Sequence, residues 1–170
     1  YIGVSTREVP HCRCSAKPSI SRPSRQGAPS VKMLVVEDEF ISRTLLVEIL
    51  KPYGVCHVAT NGDEAVAVLD RAYAGNSHYD LVCLDIMMPD IDGQEILKKL
   101  RCMEASRGIG GRQATRVIIT TALDDSRTII EAFLHGRCDA YLTKPIDSDT
   151  LLSHLRYMQL IGEPDYASSF

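Results

Sequence analysis

The sequence predicts an α/β fold in which helices cover both faces of a parallel β-sheet. Short apolar runs alternate five times with segments of helical hydrophobic spacing between residues 31 and 161. Turn residues separate these segments, and no repeat recurs at a fixed period. Five successive strand–helix units are typical of a doubly wound sheet, whose working edge lies at the C-terminal ends of its strands.

Five apolar runs are the predicted strands. In chain order they are KMLVVED, VCHVAT, YDLVCLD, RVIITTA and DAYLTKP. Runs this short, rich in Val, Ile and Leu, are typical of strands that are buried on both faces.

A helix is predicted after each strand. The first begins near Phe40 and ends at Pro52, and the second covers 63–74 after an Asn-Gly turn. The third runs from Gln94 to about residue 107, the fourth follows Ser126 as N-cap, and the fifth begins at Ser148 or the next residue. The apolar positions at helical spacing in the first helix are Phe40, Ile41, Leu45, Leu46, Ile49 and Leu50.

Composition excludes several classes of protein. The 170 residues are 45% hydrophobic and 24% charged, which is ordinary for a globular protein. No apolar run approaches the roughly 20 residues of a membrane span, and no signal-peptide pattern is present. We therefore expect a cytoplasmic protein whose six cysteines are reduced thiols. Cys12 and Cys14 lack the spacing and the second pair of a zinc site.

The first 30 residues differ in composition from the rest of the chain. They carry five Lys or Arg residues against one acid, whereas the whole chain has a net charge of −3. The stretch SAKPSISRPSRQGAPS has few side chains that could form a core. We therefore interpret residues 1–30 as an unstructured basic leader or tail rather than a nucleic-acid-binding arm, residues 31–161 as the domain and residues 162–170 as a C-terminal tail.

Chemically active residues follow four of the five predicted strands. Because parallel strands end at the same edge of the sheet, we expect these residues to surround one point. They are Glu37 and Asp38 after the first strand, Asp85 at the third, Thr120 and Thr121 at the fourth, and Lys144 and Pro145 after the fifth. A single acid or Lys-Pro at a strand end usually forms a turn, but such residues at four strand ends favour a functional site.

The residue types at this edge point to phosphoryl transfer. Clustered carboxylates repel one another unless a cation neutralises them, and oxygen ligands suit Mg²⁺. A carboxylate can attack phosphorus and form an aspartyl-phosphate. Lysine and hydroxyl groups are suitable partners for phosphoryl oxygens. The sequence therefore predicts a Mg²⁺-dependent phosphoryl-transfer site with Asp85 as the nucleophile.

In the motifs LVVEDE, LDIMMPDIDG, IITTA and YLTKP the sequence resembles the receiver domain of two-component response regulators. The motifs occur in this order and at separations similar to those of the family, and the resemblance covers about residues 32–161. It implies a flavodoxin-like (βα)5 fold with a five-stranded parallel sheet in the order 2-1-3-4-5.

The resemblance assigns the metal and phosphoacceptor residues. It implies that Asp85 accepts the phosphoryl group and belongs to the Mg²⁺ site. Asp38 would bind the metal directly, and Glu37 would act largely through a metal-bound water. The backbone carbonyl of Met87 would supply a further ligand.

The resemblance also assigns a switch. Thr121 would contact the phosphoryl group, Lys144 would pair with it, and the peptide bond to Pro145 would be cis. Tyr141 matches an aromatic position that rotates inward when Thr121 moves. Thr120 is expected to point into packing, because adjacent strand residues face opposite ways.

The sequence departs from the family pattern at a few positions. Glu37 stands where Asp is commoner, which leaves metal binding intact. Met87 and Leu123 lie two residues after Asp85 and Thr121, at positions that influence attack by water on the acyl phosphate. Neither side chain can orient a water, so we expect slow autodephosphorylation. The loop GIGGRQATR looks longer than usual, and we interpret it as a flexible connection rather than a dinucleotide motif.

The resemblance implies partners as well. A sensor histidine kinase or a histidine phosphotransfer protein would donate the phosphoryl group. Because nine residues follow Ile161, we expect a single-domain regulator without an output domain. It would signal through an unknown protein partner. We expect no enzymatic activity beyond its own phosphotransfer and slow dephosphorylation. A homodimer through the face of the fourth helix, fifth strand and fifth helix is possible.

Three alternatives stay open at this point. A receiver-like scaffold would bind its partner without phosphorylation. An aspartyl-phosphate hydrolase of the haloacid dehalogenase type would need D-x-D-x-[TV] after the first strand, where the chain has VEDEFI. A flavodoxin-type FMN binder would need a hydroxyl- and glycine-rich phosphate loop there, and Glu37 and Asp38 would repel the phosphate.

Overall fold

A computed structural model describes residues 31–89, 93–122 and 138–162. The strands are β1 (Val31–Val36), β2 (Gly54–Ala59), β3 (Leu81–Asp85), β4 (Arg116–Thr121) and β5 (Ala140–Thr143). The helices are α1 (Phe40–Leu50), α2 (Gly62–Ala74), α3 (Gly93–Ser106) and α4 (Ser148–Tyr157). Single 3-10 turns cover Lys51–Tyr53 and Gly111–Gln113. The fourth helix predicted from the sequence, after Ser126, lies outside the described residues.

The five strands form one parallel sheet in the order β2-β1-β3-β4-β5. This confirms the predicted fold class and strand order. β1 and β3 are each paired with a neighbouring strand along both sides, and β3, in the centre of the sheet, is buried at every position. Asp85, the last residue of β3, is in register with Thr120 of β4.

Two apolar clusters hold the layers together, one on each face of the sheet. The first packs strand residues such as Leu34 and Leu84 against α2 and α3. The second packs residues such as Val35 and Cys83 against α1 and α4. Because consecutive strand residues point to opposite faces, each buried strand contributes to both clusters.

Side-chain caps set where three of the helices begin. Glu39 accepts from the backbone N–H groups of Ile41 and Ser42 at α1, and Asn61 accepts from that of Glu64 at α2. Asp147 accepts from the N–H of Thr150, and α4 begins at Ser148, one of the two starts that the sequence predicted. Such caps satisfy the otherwise unpaired donors of the first helical turn.

The apolar side chains of α1 differ widely in exposure. Leu46 and Leu50 are fully buried, whereas Phe40 and Ile41 are about 70% exposed and Leu45 is 41% exposed. Phe40, Ile41 and Leu45 therefore form an exposed apolar patch, called here the α1 patch.

No helix within the described ranges is long and apolar enough to cross a membrane.

Candidate functional site

The first element of the site is the turn after β1. The N–H of Glu37 donates to the carbonyl of Ala59 at 3.1 Å, which continues the pairing of β1 with β2 by one residue. The Glu37 side chain is completely buried, whereas that of Asp38 is exposed. One Glu37 oxygen accepts from the N–H of Glu39 at 3.3 Å. Two adjacent acids therefore leave the strand at the sheet edge, one facing inward and one at the surface.

The second element is Asp85 at the end of β3. Its side chain is only 2% exposed, and Oδ1 accepts from the backbone N–H of Met87 at 2.8 Å. The chain then bends back, because the N–H of Gly93 donates to the carbonyl of Ile86 at 3.3 Å. The carboxylate is thus held by the loop that follows it, and its other oxygen faces the site.

A glycine permits this bend. A Cβ at Gly93 would lie 2.5 Å from the carbonyl oxygen of Asp85 and 2.8 Å from the Cα of Ile86. Both atoms are backbone, so neither can turn aside. The close approach of α3 to the end of β3 therefore requires glycine at this position.

The third element is Lys144 after β5. Its backbone N–H donates to the carbonyl of Thr121 at 2.8 Å, which fixes the residue beside the end of β4. Its Nζ lies 2.6 Å from Oδ2 of Asp85 and 2.8 Å from Oε1 of Glu37. The Lys144–Pro145 peptide bond is cis, as the resemblance implies. One ammonium group thus bridges two buried carboxylates that lie far apart in the sequence.

Burial and charge act against each other at this bridge. Burial raises the pKa of Glu37 to about 7, although the hydrogen bond from Lys144 opposes the shift. Burial alone would lower the pKa of Lys144, but its hydrogen bonds to Asp85 and Glu37 outweigh that effect and raise it. The lysine is therefore protonated at neutral pH, and it compensates part of the buried negative charge.

The acids can hold a cation as well. Oxygen atoms of Glu37, Asp38 and Asp85 all lie within 4.8 Å of one another. The second carboxylate oxygen of Glu37, Oε2, is buried and has no hydrogen-bond partner among the described residues. A buried carboxylate oxygen without a donor is costly unless a cation satisfies it. The oxygen-only donor set fits a hard divalent ion.

The other residues singled out in the sequence lie around this cluster. Thr121 is buried, and its hydroxyl donates to the carbonyl of Ala122 at 3.1 Å. Thr120 is also buried, as predicted, and its hydroxyl lacks a partner within the described part of the chain. Met87 is 62% exposed and Tyr141 is 45% exposed. Leu123 lies outside the described residues.

Sequence reasoning missed one residue that contacts the acid pair. The guanidinium of Arg43 on α1 donates through Nη1 to the carbonyls of both Glu37 and Asp38, each at 2.9 Å. It also lies over the ring of Phe40, 5.6 Å from its centroid. An arginine one turn into a helix looks like an ordinary surface residue, so only the folded geometry reveals this contact.

The fold and the site together define a class of protein. A doubly wound parallel sheet presents a buried aspartate at the end of its central strand β3, with two acids from the end of β1 and a lysine from the end of β5. The chain belongs to the response regulator receiver domain family, whose profile matches residues 33–156. This is the receiver domain of two-component signal transduction, as the motifs indicated, and the hydrolase and FMN-binder alternatives find no support.

Individual proteins agree with this assignment. The chain is 37% identical over 133 residues to the transcriptional regulatory protein TcrA of Mycobacterium tuberculosis, covering 78% of this chain and 47% of TcrA. The receiver domain of the Francisella response regulator 1452 is 32% identical, with a TM-score of 0.57 over 76% of this chain and 96% of that one. The chain spans about half the length of the curated relatives it matches.

A third similar structure comes from a complex. It is the co-crystal of the Saccharomyces cerevisiae histidine phosphotransfer protein Ypd1 with the receiver domain of its downstream response regulator Ssk1. The match is 26% identical, with a TM-score of 0.65 over 83% of this chain and 97% of that one.

Proposed function

We propose that Asp85 accepts a phosphoryl group from a phosphorylated histidine of a sensor kinase or a histidine phosphotransfer protein, in a Mg²⁺-dependent reaction. The observation that carries this proposal is the position of the Asp85 carboxylate. It is buried at the end of the central strand, 2.6 Å from the Lys144 ammonium and within 4.8 Å of oxygens of Glu37 and Asp38.

The proposed chemistry follows from these distances. A carboxylate oxygen of Asp85 attacks phosphorus, an O–P bond forms, and the P–N bond to the donor imidazole breaks. The imidazole takes the electron pair of that bond and is released with a proton from solvent. A bound Mg²⁺, held by Asp38, Asp85, the Met87 carbonyl and Glu37, largely through a bound water, would neutralise the charge that gathers on the transferring oxygens.

Lys144 has a specific part in this proposal. In the unphosphorylated protein its ammonium spans Asp85 and Glu37. Phosphorylation converts the Asp85 carboxylate into an acyl phosphate, whose oxygens carry more charge than the carboxylate did. The lysine can then pair with a phosphoryl oxygen without moving to a new side of the site.

A conformational readout is the second part of the proposal. The carbonyl of Thr121 accepts from the N–H of Lys144, and Ile119, two residues earlier in β4, is in register with Tyr141 of β5. A movement of Thr121 can therefore shift Tyr141, whose ring is half-exposed on the edge strand β5. We propose that the Thr121 hydroxyl exchanges its bond to Ala122 for a phosphoryl oxygen and that Tyr141 then turns inward.

The α1 patch supports a protein as the phosphodonor. Phe40 follows Asp38 by two residues, so the patch adjoins the acidic pair at the sheet edge. Exposed apolar groups beside a charged site are typical of protein contact surfaces. The similarity to the Ssk1 receiver, which crystallised with the phosphotransfer protein Ypd1, is consistent with a partner of that kind.

One experiment tests the phosphotransfer. The protein is incubated with Mg²⁺ and acetyl phosphate, and its intact mass is measured beside Asp85→Asn and a control, Asp70→Asn, which changes an exposed acid on α2. We expect one added phosphoryl group in the wild type and the control, none in Asp85→Asn, and none without Mg²⁺.

The failure of this experiment would have a defined meaning. If no protein gains a phosphoryl group, binding of fluoroberyllate with Mg²⁺ is measured next. Binding of this phosphoryl mimic at Asp85 would show that the site requires its own phosphodonor. The absence of binding would favour the alternative of a receiver-like scaffold that works without phosphate.

A further inference from the structure

The acid pair after β1 presents a geometric problem. Side chains of adjacent residues in extended backbone point in opposite directions. Glu37 and Asp38 are adjacent, yet each has an oxygen within 4.8 Å of the same Asp85 carboxylate. The backbone between the two acids must therefore be bent away from strand geometry and held there.

We propose that Arg43 is a positioning residue for the cation site and holds this bend. Its Nη1 donates to the carbonyls of both Glu37 and Asp38 at 2.9 Å, so one planar group fixes the two peptide units that carry the acids. It touches neither carboxylate in the described structure. The carboxylate oxygens therefore stay available to a metal. This inference rests on the proposed function, because it assumes that the site binds Mg²⁺.

The guanidinium is itself held in place. Arg43 is half-buried, it lies over the Phe40 ring at 5.6 Å, and both residues lie in the first turns of α1. The Glu39 cap fixes the start of the same helix through the N–H groups of Ile41 and Ser42. Arg43 thus joins a capped, rigid helix to the turn that carries the acids.

The direction in which Mg²⁺ affinity changes when Arg43 is replaced separates a positioning role from a purely electrostatic one. Arg43 is a cation close to a site for Mg²⁺, so its charge alone opposes metal binding. If Arg43 acts only by repelling the metal ion, removal of its charge should strengthen Mg²⁺ binding. If Arg43 holds the acids in place, its removal should weaken binding, by about 10-fold as for other residues that orient metal ligands.

The experiment is isothermal titration of the full chain with Mg²⁺ alone, with the thermal melting of each variant measured in parallel. Arg43→Met removes the donors and the charge but keeps an apolar stem in the helix. Arg43→Lys keeps the charge, but its stem ends one bond short of the position of Nη1, and its ammonium cannot stack on the Phe40 ring as a planar guanidinium does. Arg107→Met is the matched control, because Arg107 also lies over a ring, that of Tyr73 at 5.4 Å, and donates to the Met103 carbonyl at 3.2 Å, away from the acids.

We expect the dissociation constant for Mg²⁺ to rise about 10-fold in Arg43→Met, to take an intermediate value in Arg43→Lys and to stay unchanged in Arg107→Met. Unchanged or tighter binding in Arg43→Met would overturn the proposal. If that variant does not fold, Arg43→Lys decides, since binding equal to the wild type would overturn the proposal too. A wild type that takes up neither Mg²⁺ nor phosphate would instead contradict the proposed function itself.

Discussion

The Nζ atom of Lys144 lies 2.6 Å from Oδ2 of Asp85, although the two residues are 59 positions apart in the sequence. Asp85 ends β3 and Lys144 follows β5, with β4 between these strands. The same Nζ lies 2.8 Å from Glu37, which follows β1. One amino group therefore links the end of β5 to the ends of β3 and β1. Its positive charge offsets the two buried carboxylates.

Replacement of Lys144 should affect both chemistry and stability. Lys144→Gln removes the cation that faces the transferring phosphoryl group, so we expect phosphorylation by acetyl phosphate to slow by roughly 100-fold. It also leaves two buried acids without their counter-charge, and the partial exposure of the lysine limits that cost to about 1–3 kcal/mol of unfolding free energy. Mass spectrometry over time and urea unfolding measure the two effects.

Lys99→Gln is the control for Lys144. Lys99 forms an exposed pair with Glu95 at 3.8 Å on α3, so neither quantity should change measurably. A Lys144→Gln protein that is phosphorylated as fast as the wild type would show that the lysine only neutralises the unphosphorylated site.

Substitution of Gly93 should be costly because of a backbone contact. In Gly93→Ala the new Cβ would lie 2.5 Å from the Asp85 carbonyl oxygen, so α3 or the end of β3 must move. We expect a loss of about 1–3 kcal/mol in unfolding free energy, measured by urea titration. Gly75→Ala is the control, because its Cβ would be 3.5 Å from the nearest atom. Equal stability of the two variants would contradict this account of Gly93.

Much of the fold could be predicted from the sequence, because apolar runs and turn residues are local signals. The strand order and the parallel sheet agree with the prediction. The helical spacing of α1 groups Phe40 and Ile41 with Leu46 and Leu50, yet the first two side chains are exposed and the last two are buried. Hydrophobic spacing identifies which residues share a helix face, whereas packing in the folded protein decides which of them are covered.

The residues of the site also fall into a group that could be predicted from the sequence and a group that could not. Glu37, Asp85 and Lys144 could be predicted to meet, because each follows a strand and parallel strands end together. The contacts of Arg43 and Gly93 could not be predicted, because both are made with backbone atoms that approach only when the chain turns after a strand, and no sequence spacing encodes them. The sequence therefore indicates which side chains carry the chemistry, but not which residues hold the backbone beneath them.

A further buried acid lies near the opposite end of the strands, where β4 begins. Glu104 on α3 is 2% exposed, and its carboxylate accepts from the N–H of Thr115 at 2.6 Å and pairs with Arg101 at 2.7 Å. It also accepts from the hydroxyl of Tyr73 at 3.1 Å, which joins α2 to the same group. This network fixes the loop that enters β4.

We expect Glu104→Gln to lower the unfolding free energy by about 1–3 kcal/mol, because Arg101 loses its closest charge partner and two buried donors lose an ionised acceptor. Glu95→Gln, which changes an exposed acid on the same helix, should cost less than about 0.5 kcal/mol. Urea unfolding measures both, and Mg²⁺ titration should give wild-type affinity in both variants. A Glu104→Gln protein as stable as Glu95→Gln would mean that the network adds little to stability.

The cysteines should differ in their reaction with alkylating reagents. Burial raises the pKa of Cys56 to about 11 and that of Cys138 to about 11, and it also raises the pKa of Cys83, whereas Cys102 is exposed. Only the thiolate reacts, so a raised pKa slows labelling at neutral pH.

Among the four cysteines of the described ranges, we expect iodoacetamide to label Cys102 first at pH 7.5, as followed by peptide mass mapping. Because pH 7.5–9.5 lies below a pKa of about 11, the labelling rate of Cys56 should rise roughly tenfold for each pH unit in that range. Labelling of the completely buried Cys83 should require unfolding, and its reaction at the rate of Cys102 would show that the second apolar cluster opens readily.

The lifetime of the aspartyl-phosphate should depend on Met87. The backbone N–H of this residue donates to the Asp85 carboxylate at 2.8 Å, and its side chain is 62% exposed beside the reacting group. A thioether has no donor and accepts hydrogen bonds only weakly, so it cannot orient a water for attack on the phosphorus.

Met87→Asn supplies an amide at the same place, and we expect the phosphoryl group to be lost several-fold faster. Met87→Leu is the matched control, since it also lacks such a group and should keep the wild-type rate. Loss of phosphate is followed by intact mass after removal of acetyl phosphate, and equal rates in all three proteins would show that Met87 does not limit access of water.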